Sequence, residues 1–245
     1  MYPEYPFYFA HRGGNETASE NSLSSFLAAY RLGCRYLELD LQSTSDNYLL
    51  VLHDRNLQRV TGANVDISKS DFQDVRKVKY PNGEDILVFE DLIRDLPDDA
   101  RFNIDPKSNR AAYLLSGVLR KHPELQERVS IGTFSTRRVQ YLRSEFPGLT
   151  TVTSRNEVIG AFMRYLAGNP INTPAKALQI PLTPYFRPHL RAEFAEYLHE
   201  QGLQVHVWTV NQLEDMQMLY DRGFDAVMTD KPSIAQRYFD SRQGY

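Results

Sequence analysis

The sequence predicts an eight-stranded (β/α)8 (TIM) barrel with a small insertion after its second strand region. Three observations carry that prediction. Short apolar runs alternate with amphipathic stretches from end to end, which is the rhythm of parallel βαβ units. The 245 residues, 42% of them hydrophobic, suffice for one barrel-sized core. Titratable side chains stand at the ends of four separate strand candidates, and the C-terminal strand ends of an α/β barrel form its active face.

The strand candidates are Phe7–Ala10, Tyr36–Leu41, Leu49–Leu52, Arg101–Asp105, Val129–Phe134, Leu149–Val152, Ala177–Pro181, Gln204–Trp208 and Ala226–Thr229. The second and third lie close together, which leaves about eight barrel strands plus a hairpin. Amphipathic stretches between them include Ser22–Leu32, Ala111–His122, Thr136–Glu145, Glu157–Ala167, Leu190–Glu200 and Gln212–Arg222. Gly33, Gly202 and Gly223 each follow a helical pattern and precede a strand, the place of a helix C-terminal glycine. The polar segment from Asp54 to Glu90 breaks the rhythm and reads as a long excursion at one end of the barrel. No Ser/Gly/Pro-rich linker or charge block divides the chain, so residues 1–245 are expected to form one domain, with the insertion over roughly residues 55–88. A doubly wound open sheet competes, but no GxGxxG follows the first strand.

A net charge of -3 gives no electrostatic reason to seek nucleic acid or an anionic membrane, so phosphate recognition must come from a few placed cations. The single cysteine, Cys34, excludes an intrachain disulfide and reads as a buried structural thiol. The N-terminal stretch lacks a basic segment followed by an apolar one, and no apolar run could span a bilayer. A cytoplasmic protein without stable membrane association is expected.

The densest chemistry lies in Tyr36-Leu37-Glu38-Leu39-Asp40-Leu41. Side chains alternate faces along a strand, so Glu38 and Asp40 share one face and the leucines the other. Buried carboxylates must be solvated, paired or metal-bound, and hard cations prefer carboxylate oxygen. Taken alone, the pair reads somewhat better as solvated or salt-bridged acids on an edge strand. The same parity puts Asn103, Asp105 and Lys107 together in Phe102-Asn103-Ile104-Asp105-Pro106-Lys107. Asp105 is a candidate third oxygen ligand and Lys107 a point charge for a phosphate oxygen, although an Asp–Lys ion pair is the simpler account of that motif alone. His11 and His53 end two further strands, and histidine is the favoured acid/base residue. The remaining histidines show no partner pattern, except that His206 shares strand parity with Trp208 and would face the barrel interior.

The runs FAHRGG, SENSLSSFLAAYRLG and YLELDLQSTSDNYLLVLHDRNLQRVTG, then FNIDPK, VHVWTVN and GFDAVMTDKP, resemble in order the motifs of glycerophosphodiester phosphodiesterases. The resemblance covers most of the chain and is weakest from about residue 145 to 191. It implies a metal-dependent α/β barrel that hydrolyses glycerophosphodiesters to glycerol 3-phosphate and an alcohol. By position, it implies His11 and His53 as catalytic residues. It implies Glu38, Asp40 and Asp105 as ligands of one divalent cation, Mg²⁺ or Ca²⁺. Arg12 and Lys107 would contact the phosphate, Trp208 would line the substrate end, and Glu20 and Asn21 would support the site. Ser19-Glu20-Asn21-Ser22 stands where the family usually has Pro-Glu-Asn-Thr, and Asp105 where it commonly has Glu. A lysophospholipase D using the same site is the nearest alternative. It would want an apolar face, and the insertion, with Val65, Ile67, Phe72 and Val75 scattered among charges, offers none. An amidohydrolase would need an HxH pair where this chain has HRG. A non-catalytic relative would lack one of these groups, and all the positions are filled.

Overall fold

In the computed structural model the described residues are Tyr2 and 7–243. The expected domain of residues 1–245 therefore includes Met1, residues 3–6, 244 and 245 outside that description. Nine strands run β1 Phe7–Ala10, β2 Tyr36–Ser43, β3 Leu49–Val51, β4 Arg101–Pro106, β5 Val129–Ile131, β6 Thr150–Thr151, β7 Ala177–Pro181, β8 Gln204–Trp208 and β9 Ala226–Thr229. Their order in the sheet is β6-β5-β4-β2-β1-β9-β8-β7, all pairs parallel. Lys176 N donates to Thr151 O at 2.9 Å and Thr153 N to Ala177 O at 3.0 Å, which brings β6 onto β7 and rounds the sheet into a nearly closed barrel. The expected eight-stranded barrel is what the chain forms.

The extra strand, β3, pairs antiparallel with the end of β2, so the two close candidates do make a hairpin. Several predicted strands are cut short. Val129–Phe134 stops at Ile131, because Gly132–Phe134 turns the chain into the helix Thr136–Glu145, whose N-cap is Ser135. Leu149–Val152 shrinks to two residues for the same reason, with Ser154 and Glu157 forming a capping box on the helix Arg155–Leu166. The stretch of mixed charge at 91–101 begins within a helix at Phe89–Asp95.

Strand parity sorts the core. Leu37, Leu39 and Leu41 of β2, Ile104 of β4 and Val205 and Val207 of β8 point outward and pack against the helical ring. Inside, the bottom of the barrel is plugged by Phe7, Phe9, Ala226 and Met228, with Tyr2, Tyr36 and Trp208 against them. His206 is buried in this plug, its ring 4.8 Å from Tyr2, 5.5 Å from Phe7 and 5.4 Å from Phe9. Above the plug lie the charged inward residues Glu38, Asp40 and Asp105.

The segment between β3 and Phe89 has a small core of its own, in which Leu50, Leu52, Leu57, Ile67, Val75, Tyr80 and Ile86 pack together. Ile67 and Val75, scattered among charges in the sequence, are turned inward there. The segment is tied to the barrel's top by Tyr80, whose hydroxyl donates to Glu20 O at 3.2 Å, and by Glu84, which accepts from Ser24 N at 3.4 Å. No helix among the described residues is long and apolar enough to cross a membrane.

Burial holds the His206 pKa down to about 3 from the ordinary 6.5, so the folded protein keeps this ring neutral where the unfolded chain protonates it. Its contribution is whole above pH 6.5 and is lost as pH falls from there towards 3. At about pH 5.5 the loss is on the order of 1 kcal/mol. His206→Phe should therefore flatten the acid limb of stability, read as the urea midpoint between neutral pH and about pH 5. An unchanged slope in the variant would refute this account.

Candidate active site

Residues Ala10 to Gly14 turn sharply at the top of β1. Arg12 has φ 54° and Gly13 φ 79°. A Cβ on Gly13 would stand 2.4 Å from Ser25 Oγ and 3.0 Å from Phe26 N, so only glycine lets the turn lie against the helix Leu23–Arg31. That contact aims His11 and Arg12 into the barrel mouth. The register of β2 on β4 sets Glu38 beside Asn103 and Asp40 beside Asp105.

The result is an alternation of charge. Lys107 Nζ lies 2.7 Å from Asp40 Oδ1 and 2.7 Å from Asp105 Oδ2. Arg12 Nε stands 3.1 Å from the other Asp40 oxygen as an ion pair, without hydrogen-bond alignment. Arg12 N donates to Glu38 Oε2 at 3.0 Å, and Asn21 Nδ2 to Asp40 Oδ2 at 3.1 Å. Glu20 lies outside the cavity wall. It accepts from Arg12 Nη1 at 3.0 Å and from both terminal nitrogens of Arg59, at 2.6 and 3.0 Å.

The two histidines are built alike. His11 Nδ1 is 2.7 Å from Asp230 Oδ1, and His53 Nδ1 is 2.6 Å from Asp54 Oδ1. Each ring is thereby oriented, with Nε2 presented away from its carboxylate. Asp230 is itself gripped by Asn211, which donates Nδ2 to Asp230 Oδ2 at 2.8 Å and accepts from Asp230 N at 2.9 Å. Asp54 is also bound by Arg59.

Burial opposes charge throughout, and the neighbours decide the outcome. Burial works against a charged His11, yet Glu38 and Asp230 outweigh it and lift its pKa above the ordinary value. Burial raises Asp40 too, but Lys107 and Arg12 hold it below the usual carboxylate range. Burial, reinforced by the charge on Asp40, pushes the Glu38 carboxyl up to about 7 against the pull of His11, Lys107 and Arg12.

All these groups except Glu20, Asn21, Arg59, Asn211 and the carboxylates behind the histidines line one cavity of about 680 Å³. Its opposite wall is made by Phe134, Val158, Ile159, Tyr185, Phe186 and Trp208. Phe134 and Trp208 meet edge to face at 5.4 Å. This apolar surface lies on the β5–β8 side rather than on the insertion.

Glu38, Asp40 and Asp105 are the oxygen donors a hard divalent cation takes. Two features mark a shortage of positive charge among them: the raised Glu38 carboxyl, and Asp105 Oδ1, which is buried without a hydrogen-bond partner among the described residues. The donor set fits such an ion in chemistry. In placement, Lys107 competes for it, and among the described residues no three His, Cys, Asp or Glu side chains are gathered around one point.

Residues 11–234 match the model of the glycerophosphoryl diester phosphodiesterase family. The chain belongs to that family. A probable glycerophosphodiester phosphodiesterase of Mycobacterium tuberculosis is 32% identical, over 92% of this chain and 87% of its own length. A human lysophospholipase D is 24% identical over 92% of this chain and 83% of its own length. Among solved structures, an Oleispira antarctica phosphodiesterase in complex with sn-glycerol 3-phosphate superposes with a TM-score of 0.81 at 20% identity, covering 96% of this chain and 97% of that one.

As a member of the glycerophosphoryl diester phosphodiesterase family, the chain gathers His11, Arg12, Glu38, Asp40, His53, Asp105, Lys107 and Trp208 around one cavity, with Asn21 and Glu20 behind them. Residues that sequence reasoning passed over are Asp230, Asp54, Arg59 and Gln179, while strand parity places Asn103 on the face of Asp105 without a role. Asp54 follows His53 directly and Asp230 ends β9, a strand-end position like that of His11, so both left a trace in the sequence. Asp230→Asn should lower the His11 pKa, since the carboxylate favours the charged ring. An NMR titration of the His11 ring would read it, and a ring that titrates as before would show that Asp230 only fills space.

Proposed function

We propose that this protein hydrolyses glycerophosphodiesters to glycerol 3-phosphate and an alcohol, with the help of one divalent cation. The observation that carries this reading is two carboxylate-backed histidines facing one cavity in which two cations and three carboxylates alternate. Arg12 and Lys107 would bind the phosphoryl oxygens and offset charge as it grows in the transition state. His11, already favoured in its charged form, is suited to protonate the departing alkoxide. His53, with Nδ1 turned to Asp54, has Nε2 to take a proton from the attacking oxygen. Glu38, Asp40 and Asp105 would hold the cation, Mg²⁺ or Ca²⁺, which would supply Lewis-acid polarisation of the phosphoryl group. Asn21 would fix Asp40, and Glu20 would fix Arg12.

A second reading is favoured by one observation. The apolar wall of Phe134, Val158, Ile159, Tyr185, Phe186 and Trp208 suits a hydrocarbon chain better than a small polar alcohol. A lysophospholipid would place its head-group phosphate among the charges and its acyl chain along this wall, which would make the activity that of a lysophospholipase D. The apolar face sought on the insertion is absent there, since Ile67 and Val75 are buried in that segment's own core. Four of the wall's six residues, Val158, Ile159, Tyr185 and Phe186, come from the stretch whose sequence resemblance is weakest.

The test is a coupled assay for glycerol 3-phosphate released from glycerophosphocholine, run with Mg²⁺, Ca²⁺ and Mn²⁺ separately and with chelator, beside a choline-release assay on lysophosphatidylcholine. Glu38→Ala, Asp40→Ala and Asp105→Ala should each lose most of the turnover with the helical circular dichroism unchanged. His11→Asn and His53→Asn should fall on the order of 10²- to 10⁴-fold. Full turnover in chelator would sink the metal assignment, and equal turnover in either histidine variant would sink the acid/base roles.

A further inference from the structure

Four successive strands on the far side of the barrel, β4 to β7, bring one uncharged inward position each to the cavity floor. Asn103 lies on β4, Gly132 follows β5, Thr153 follows β6, and Gln179 lies on β7. Asn103 and Thr153 are buried, and Gln179 is half-buried. Asn103 Nδ2, Thr153 Oγ1 and Gln179 Nε2 are all sequestered from solvent, and none has a hydrogen-bond partner among the described residues. Buried polar groups are ordinarily satisfied, and an unpaired one costs roughly 1–3 kcal/mol. Three unpaired groups in one cavity floor point to a ligand that supplies the missing partners.

Gly132 is what lets the amides converge. A Cβ on it would lie 2.4 Å from Asn103 Oδ1 and 2.7 Å from Gln179 Oε1. The two amides therefore close over the glycine from either side. Their neighbour Asp105 belongs to the charged half, because Asn103 and Asp105 are two residues apart on the same face of β4. A ligand with its phosphate between Arg12 and Lys107 would thus reach the amides with a short polar arm. The aromatic wall lies on the same side as the amides and reaches the surface, with Phe134 and Tyr185 exposed.

We infer that Asn103, Thr153 and Gln179 form a polyol subsite that takes the two free hydroxyls of the glycerol arm, while the alcohol arm lies outward along the aromatic wall. This rests on the diesterase reading above and adds the orientation of the substrate to it. A hydroxyl both donates and accepts, so it can meet an amide and a threonine together. A site built to pair hydroxyls discriminates strongly against an analogue that lacks them, because its own groups are then left unpaired.

The experiment is calorimetric binding of two monoesters under identical metal conditions: sn-glycerol 3-phosphate, and propyl phosphate, which keeps the phosphate and the three carbons but has no hydroxyl. The wild type should favour the glycerol ester on the order of tenfold or more. Gln179→Met and Thr153→Val, both close to isosteric, should bring that ratio near unity and leave the propyl ester's affinity unchanged. Asn103→Leu should do the same, but its full burial makes it the variant most at risk of misfolding, and the other two keep the test decisive. Equal binding of the two esters by the wild type, or a parallel loss of both in Gln179→Met and Thr153→Val, would overturn the subsite. Diester cleavage is measured on the same wild-type sample. Cleavage without discrimination between the monoesters removes the subsite alone, and absence of cleavage from any glycerophosphodiester removes the parent reading as well.

Discussion

The site depends on one register, that of β2 on β4, which sets Asp40 opposite Asp105 and leaves Lys107 Nζ 2.7 Å from each. Two buried carboxylates at this separation would repel each other and be driven towards protonation. The ammonium between them makes the pair tolerable, and Arg12 guards the remaining oxygen of Asp40. A slip of one residue would turn the acids into the helical layer and the leucines into the mouth. The hydrophobic layer and the charged centre therefore specify the same pairing.

Arg12 carries this arrangement outward. Its guanidinium connects Asp40 to Glu20, and Glu20 passes the connection to Arg59 of the insertion, which also binds Asp54 behind His53. The insertion is thus fastened to both histidine-bearing edges through ion pairs of graded exposure. The inner contacts are screened little by salt and the outer ones much more. A segment with so small a core of its own gains its fixed position from this chain of charges.

Much of this could be read before the structure, and the reasons are local. The alternation in Tyr36–Leu41 specifies which face the acids take, and HRGG specifies a turn that only glycine can complete. Eight strands followed from the rhythm of apolar runs. What escaped was whatever depends on distant strands meeting. Nothing near Gln179 in the chain says that its amide lies across Gly132 from Asn103, and Asp230 is 219 residues from the histidine it orients. The apolar wall was sought on the insertion because that segment looked surplus. It is formed instead where helix and loop residues from three connections happen to line one rim, and no periodicity in a single segment records that.

The barrel is unequal around its circumference. β2 and β4 pair over six consecutive positions, whereas β6 has two residues and is held to β7 by the bonds of Thr151 and Thr153 to the Lys176–Ala177 backbone. Glu38, Asp40, Asp105 and Lys107 sit on the heavily paired β2–β4 arc, while Phe134, Val158 and Ile159 of the aromatic wall rise beside the short β6. Opening of the seam would expose the wall first and disturb the charged centre last. The same asymmetry sets a firmly paired arc under the charged centre against a more compliant one under Phe134, Val158 and Ile159. New substrates could accordingly be acquired by remodelling one side of the cylinder without touching the machinery on the other.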